Sequence, residues 1–335
     1  MSRKIRLVGP DGKIEELHVY GAAGRDVHID QPLSNLLIGY RPQGMAVDRI
    51  FPPVPVGKQS DAYFEFDQSE VWRIPDTTRA PGTPAKQVFP KVSSATYFAR
   101  NYALGTMITI EDRTNADAVL NLRESQSMML ADLLIMDWEL RVAQLVTNST
   151  NVSTVLTVKS GGWSNYETSG AFVDIDAAIR AVRAGTGYIP NKIAIGWEAW
   201  NALKNNKFIR ERIFPAAGGG ASPGVATENQ IAALFGFDQL VVSGVMRNTA
   251  AQNLPISLSD VWGPHALVYY APDRASLQSP SYAYTFRWNV PGIPSLAVED
   301  LGYDRQRKAD MLDVSLYQDE KITGKNFGVW VSSVM

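Results

Sequence analysis

The 335-residue chain contains no cysteine. That excludes disulfides, thiolate metal sites and a cysteine nucleophile, and it rules out a small disulfide-stapled secreted scaffold. Histidine is nearly as scarce. Only His18, His28 and His265 occur, and none stands in a metal-ligand spacing. Each is expected to be a paired structural residue. No charge of one sign dominates: 32 Lys+Arg against 34 Asp+Glu leave a net −2, far from the basic balance of a nucleic-acid grip. Long apolar runs are missing too. The most apolar stretch, Met128 to Val146, carries Asp132, Asp137, Glu139 and Arg141, too many charges for a membrane span. The N-terminus is basic but lacks the apolar run of a signal peptide, and no repeat of solenoid or propeller period occurs.

Catalytic motifs are equally absent. The sequence holds no phosphate loop and no dinucleotide fingerprint with its distant acidic residue. Gly220-Ala-Ser222-Pro-Gly224 formally fits a nucleophile elbow. That motif needs a strand before it and a helix after it, whereas here a triple glycine precedes and a proline follows the serine. A loop is the expected structure. Asp174-Ile-Asp176 lacks the spacing of a calcium loop and fits a helix start, where acidic charge is favourable. The chain is therefore expected to be no enzyme, with no cofactor and no metal.

What is present belongs to a folded protein: 45% hydrophobic and 20% charged residues, in a chain long enough for two or three lobes. The first 20 residues read as a small hairpin around Pro10-Asp11-Gly12. Gly21 to Val56 is a proline-punctuated arm, expected to be extended, yet it carries Leu33, Leu36, Ile50, Phe51 and Val54. Packing along a neighbouring subunit is one way to bury them. Asp61 to Leu104 reads as a long hairpin with a proline-rich tip, Pro75 to Pro84. Two strands alone are marginal in water and their edges invite partners.

Thr114, with Asp117 three residues on, is suited to start a helix running to about Asn148, roughly 50 Å at 1.5 Å per residue. Its apolar stripe is expected at Val119, Leu122, Met129, Leu133, Met136, Leu140 and Ala143. Helices and strands then alternate. Helices are expected from Asp174, from Glu198 to Asn205, and after Thr227 as far as Gly236; strands are expected at Lys192–Ile195, Gln239–Val242 and Ala266–Tyr270. Tyr282, Tyr284, Phe286 and Trp288 fall at period two and form one aromatic strand face. That face fits core packing better than a nucleic-acid platform, since only Arg287 supplies a nearby cation. Strands at Asp313–Tyr317 and Phe327–Val331 close the chain.

The order of these parts resembles the tailed-bacteriophage major capsid protein family, the Hong Kong phage-type fold. The arm Gly39 to Val56, the loop tip Arg79-Ala-Pro-Gly-Thr-Pro84, the return Tyr97 to Leu104, the helix Thr114 to Asn148, Gly236 to Gly244 and Tyr284-Thr-Phe-Arg-Trp288 carry the resemblance. It implies an α+β chain: an N-terminal hairpin and arm (residues 1–60), an extended hairpin loop (61–104), a peripheral domain with a spine helix (105–165), an axial domain (166–280) and return strands (281–335). It implies pentamers and hexamers closing into an icosahedral shell around double-stranded DNA, in a virion assembled in the host bacterial cytoplasm, with no membrane. A scaffolding protein would be separate, since no room for a scaffold region precedes Leu33; a portal and a decoration protein would join.

Subunit-interface candidates are Phe51 on the arm, Trp72, Arg73, Arg79 and Lys86 on the loop, and Glu124 and Glu139 as carboxylate partners on a neighbour's helix. Some members of the family join a loop lysine to a neighbour's asparagine. Lys86, Lys91 and Asn326 stand in no supporting spacing, so no cross-link is expected. The rivals are an encapsulating compartment of the same fold, a serine hydrolase using Ser222, and a tail or adhesion subunit.

Overall fold

The computed structural model describes residues 44–65, 93–115, 121–158, 162–167, 170–214, 224–251, 253–277, 279–290 and 296–334, with scattered positions between 74 and 87 and the strand backbones 4–8, 14–18 and 28–29. The chain divides into two compact units, and three elements contribute residues to both: the strand Arg100–Thr109, the helix Leu122–Thr147 and the strand Ala309–Ile322. No helix among the described residues is long and apolar enough to cross a membrane.

One unit takes residues 1–40, 103–131 and 292–316. The expected N-terminal hairpin is there, Lys4–Val8 antiparallel to Ile14–His18. Strand Ala297–Asp304 pairs with His28–Ile29 on one side and with the first half of Ala309–Ile322 on the other. A bulge between Asp300 and Gly302 interrupts that ladder, and Gly302 takes the left-handed φ of +79° that a bulge can demand. Arg123 pairs with Asp300, and Arg113 with Asp310.

The expected start of the long helix needs correction. Thr114 lies inside a short helix, Ile110–Asn115, where its hydroxyl donates to the carbonyl of Ile110 at 2.7 Å. Asp117 lies outside the described residues. The long helix begins at Leu122, behind Asn121, whose side-chain oxygen accepts from the Glu124 N–H (3.4 Å) while its amide donates to the Glu124 carboxylate (3.2 Å). Its 26 residues span about 39 Å at 1.5 Å each.

The expected stripe is also displaced. Of the expected set, Ala143 is buried, Val119 lies outside the described residues, and Met129 and Leu133 are exposed, whereas Leu130, Ala131, Leu134, Ile135, Trp138, Val142 and Val146 are buried. Both sets recur at helical spacing, and this helix is apolar over most of its circumference. Periodicity alone therefore does not choose the face; the burial of Trp138 does.

The other unit takes residues 41–102, 132–291 and 317–335. Its centre is a mixed five-stranded sheet in the order Gln239–Ser243, Lys192–Gly196, Ala266–Tyr269, Gly328–Ser332, Thr154–Thr157, in which both outer pairs are parallel and both inner pairs antiparallel. Side chains alternate across it. Ile193 and Ile195 join a core with Trp200, Leu203, Ile209 and Ile231 from helices Trp197–Asn205, Lys207–Ile213 and Glu228–Phe235. Ala194 and Leu267 join the opposite core with Trp138, Trp262 and Tyr282. Thr227 starts the last of these helices with a full capping box, and Gly236 ends it at φ +75°, as its sequence pattern predicts. Helix Ala171–Thr186 starts at Gly170 rather than Asp174, which sits in the first turn and accepts from the Trp163 indole at 3.0 Å.

The arm departs most from expectation. Its described part is regular and folded inward. Val47–Ile50 is a helical turn and Pro53–Val56 a strand parallel to Ala283–Trp288. In a second sheet, where Ala283–Trp288 also pairs with Ala309–Ile322, that strand sits at the edge, so the missing N–H groups of Pro53 and Pro55 leave no ladder bond broken. Ala46, Val47, Ile50 and Phe51 are fully buried against Trp138, Tyr269 and Tyr282, so these groups are covered by their own unit and not by a neighbour.

Candidate functional site

Three constructions in the second unit determine what it can present to a partner. The first is built on Glu139, which points from the long helix into the core and is wholly buried. One carboxylate oxygen accepts from the backbone N–H groups of Ala46 (3.2 Å) and Val47 (2.9 Å), where the arm enters its helical turn. The other accepts from the Ser243 hydroxyl (3.0 Å) and the Trp262 indole (2.6 Å). Burial pushes the Glu139 carboxyl above the usual range and outweighs the downward pull of its four donors. Beside it Gly44, at φ +79°, stacks on Gly244, and the Gly244 N–H donates to the Gly44 carbonyl at 2.9 Å. The Tyr269 hydroxyl donates to the Arg49 carbonyl at 3.1 Å, and burial pushes its phenol pKa up. The arm segment is thus fixed by polar bonds inside an apolar core.

The second is a charged network. Arg141 pairs with Asp137 one turn back on its helix and with the buried Glu320 at 2.9 Å, and its guanidinium lies 3.7 Å from the Tyr102 ring centre. Gln318 donates to Glu320 at 2.9 Å and accepts from Arg287 at 3.2 Å.

The third seats the hairpin loop. Its base strands, Ser60–Glu65 and Ser93–Phe98, pair antiparallel. Tyr97 stacks on Phe286 at 4.7 Å and Tyr63 lies 5.0 Å from the same ring. The Phe98 N–H donates to Asp319 at 2.9 Å. The aromatic strand face is a core, as its period predicts. Phe64 and Phe98, next to these anchors in sequence, are exposed.

The interface candidates fare unequally. Phe51 and Glu139 are buried and bonded within their own unit, so neither faces a neighbour. The sequence offered no way to tell a buried helix carboxylate from a surface one without knowing the face. Glu124 is half-buried, and its carboxylate accepts from the side-chain amide of Asn121 at the start of its own helix. Arg79 is exposed near the loop tip. Trp72, Arg73 and Lys86 lie outside the described residues, as do Lys91 and Ser222.

His265 is structural: it accepts the Ser333 N–H at 3.0 Å, lies 4.8 Å from Trp330, and burial pushes its pKa down. The side chains of His18 and His28 lie outside the described residues. Among those described, no group of three or more His, Asp or Glu residues could hold a metal. Sequence reasoning missed the hairpin Met246–Asn248 and Leu258–Asp260 and its exposed apolar residues. Its signal was slight: Leu254-Pro-Ile256-Ser-Leu258 alternates at period two beside an asparagine-bearing turn, but only Leu258 of it lies in a strand.

Known proteins fit this architecture. The major capsid protein of Pseudomonas phage JBD67 is 23% identical over 278 residues, covering 82% of this chain and 87% of that protein. A phage-related protein from Bordetella bronchiseptica superposes with a TM-score of 0.71 at 21% identity, covering 92% of this chain and 98% of its own. The capsid structure of Cyanophage P-SCSP1u superposes at 0.56 and 13% identity, covering 87% and 89%. Residues 93–320, well over half of the chain, match the family model described as phage capsid protein. The chain therefore belongs to the phage capsid protein family, with a tailed-phage capsid fold and a structural role in the virion.

Proposed function

We propose that copies of this capsid protein close into pentamers and hexamers, and that these form an icosahedral shell enclosing packaged double-stranded DNA. The observation that carries the reading is the loop hairpin. Its Tyr63 and Tyr97 anchor it to its own core while Phe64 and Phe98 face outward, and it stands as a two-stranded sheet of its own. A pair of strands with apolar outer residues and unpaired edges gains stability from a neighbour. Repeating one such contact around a rotation axis closes a ring. Arg79, Trp72, Arg73 and Lys86 on the loop, and Glu124 on the long helix, are proposed contacts in that lattice; the five-part division at residues 60, 104, 165 and 280 is proposed with it. The near-neutral net charge of −2 suits a container, since a strongly cationic wall would grip phosphate along the genome.

A separate scaffolding protein, a portal and a decoration protein complete the proposed assembly in the host bacterial cytoplasm. Electron microscopy of the purified chain, alone and co-expressed with the scaffold, tests the reading. Rings and closed shells are expected; discrete monomers under every condition would sink it. Nuclease-protected double-stranded DNA inside the particles separates a capsid from an encapsulating compartment, which would hold a cargo protein instead.

A further inference from the structure

We propose that the hairpin Met246–Asp260 of one copy packs head-to-tail on the helix face carrying Trp197, Phe208 and Val225 of a second copy of this chain. The inference rests on the ring-forming reading above and names a contact within it.

The hairpin is an apolar projection. Leu254, Ile256 and Leu258 are 62%, 77% and 58% exposed, and Met246 45%. It is nonetheless built firmly. The Asn248 side-chain oxygen accepts from the Ala250 and Ser257 N–H groups at 3.0 and 3.1 Å, the Thr249 N–H donates to the Ser257 carbonyl at 2.8 Å, and Asn253 takes the left-handed φ of +69° that asparagine tolerates. A surface held in shape before binding loses less entropy when it binds.

A second copy is the fitting partner because the same unit presents a second, unlike apolar surface on the other side of its sheet. Val261, directly after the hairpin, packs into the core on the Ala194 and Val241 side. Trp197, Phe208 and Val225 lie on or beside the helices that pack on the Ile193 and Leu240 side, and they are 52%, 42% and 64% exposed. Two different patches on opposite faces of one sheet are what a head-to-tail contact requires, whereas a two-fold contact needs one self-complementary patch.

Charge agrees. The only charge from Gly244 to Ser259 is Arg247, which is exposed. On the helix face Glu198 and Glu228 are exposed, and none of these three is in an ion pair among the described residues. The cations there are held by their own unit: Lys207 by Glu167, Arg210 by the Gly224 carbonyl, Arg212 over Phe172 and Lys204 over Trp197. Arg210, Arg212 and Lys204 keep their charge in these contacts, so the match rests on Glu198 and Glu228, two exposed carboxylates with no ion-pair partner among the described residues.

The absence of cysteine makes a clean test possible. Ile256→Cys and Phe208→Cys are prepared separately, co-assembled with scaffold and mildly oxidised. The expected result is a disulfide-linked pair of chains in mixed particles and in neither variant alone. Cross-linking of Ile256→Cys to itself would mean that two hairpins meet, and would overturn the proposal. So would mixed particles that assemble normally without the linked pair, which would leave the shell reading intact. Failure of the unsubstituted chain to form any ring or shell would instead refute the shell reading, and this contact with it.

Discussion

Glu139→Ala is the substitution that most directly tests how the subunit is fixed. Truncation removes the acceptor of four buried donors: the Ala46 and Val47 N–H groups, the Ser243 hydroxyl and the Trp262 indole. A buried donor left unpaired costs about 1–3 kcal/mol. Four such costs do not add, because the donors share one cavity that relaxes or admits water, and deleting a buried charge recovers part of its desolvation. A net loss of about 3–5 kcal/mol follows, large beside the marginal stability of most folded domains. Glu139→Gln keeps one carbonyl acceptor but turns an amide donor toward other donors, so it is expected to lose about half as much.

Urea unfolding of the unassembled chain reads both, as a lower midpoint at unchanged slope. The pH dependence supplies a second readout. Burial raises the folded-state pKa of Glu139, so between its unfolded and folded pKa values the folded chain binds more protons than the unfolded one. Stability from this group is greatest below the unfolded value, near 4.3, and falls as pH rises toward the folded value. Glu139→Gln should flatten that slope. A wild-type midpoint in Glu139→Ala, within about 0.5 kcal/mol, would refute the reasoning.

Four further outcomes follow from the same geometry. Arg141→Met strands the buried Glu320 carboxylate and is expected to lower stability by about 3 kcal/mol, whereas Asp137→Asn, at the exposed side of the same arginine, should lower it by less than about 1 kcal/mol; urea midpoints compare the two. Phe286→Ala removes the ring on which Tyr63 and Tyr97 rest, with an expected loss of about 3–5 kcal/mol and faster proteolytic cutting within the loop hairpin. Gly44→Ala forces a side chain into a left-handed residue whose Cβ would lie 3.3 Å from the Gly244 backbone, costing about 1–2 kcal/mol, measured as a drop in thermal midpoint. Thr227→Ala removes a capping box and should cost about 1 kcal/mol, visible in the same scan.

Much of the second unit was legible because its elements have local signals. The strand Lys192–Gly196 is a short apolar run, the helix Glu228–Phe235 carries its cap and its stopping glycine, and Tyr282 to Phe286 repeats at period two. The failures share one cause. Whether Met129 or Leu130 faces inward, and whether Phe51 is covered by its own unit, depends on residues far away in sequence. Glu139 was misread for the same reason. A carboxylate on a helix reads as surface until Ala46, Ser243 and Trp262, some 90 to 120 positions distant, arrive to bond it. The hairpin Met246–Asp260 had a local signal, but its alternation occupies so few residues that it is hard to separate from loop.

The buried arm limits where assembly energy can come from. Phe51, Ile50 and Val47 reach full burial within one copy, so removing them from water stabilises the subunit and contributes nothing to the contact between copies. Apolar surface still exposed is what can supply that contact, and in this unit it includes the outer loop residues Phe64 and Phe98, the hairpin at Ile256, the helix face at Trp197, and Leu133, Val173 and Ile189. A small apolar patch gives a weak, reversible pairing between two copies. Closure changes the balance, because a subunit held on both sides makes its second contact at high effective concentration. In the proposed ring, subunits built this way would remain separable until it closes, and misplaced ones would leave before it does.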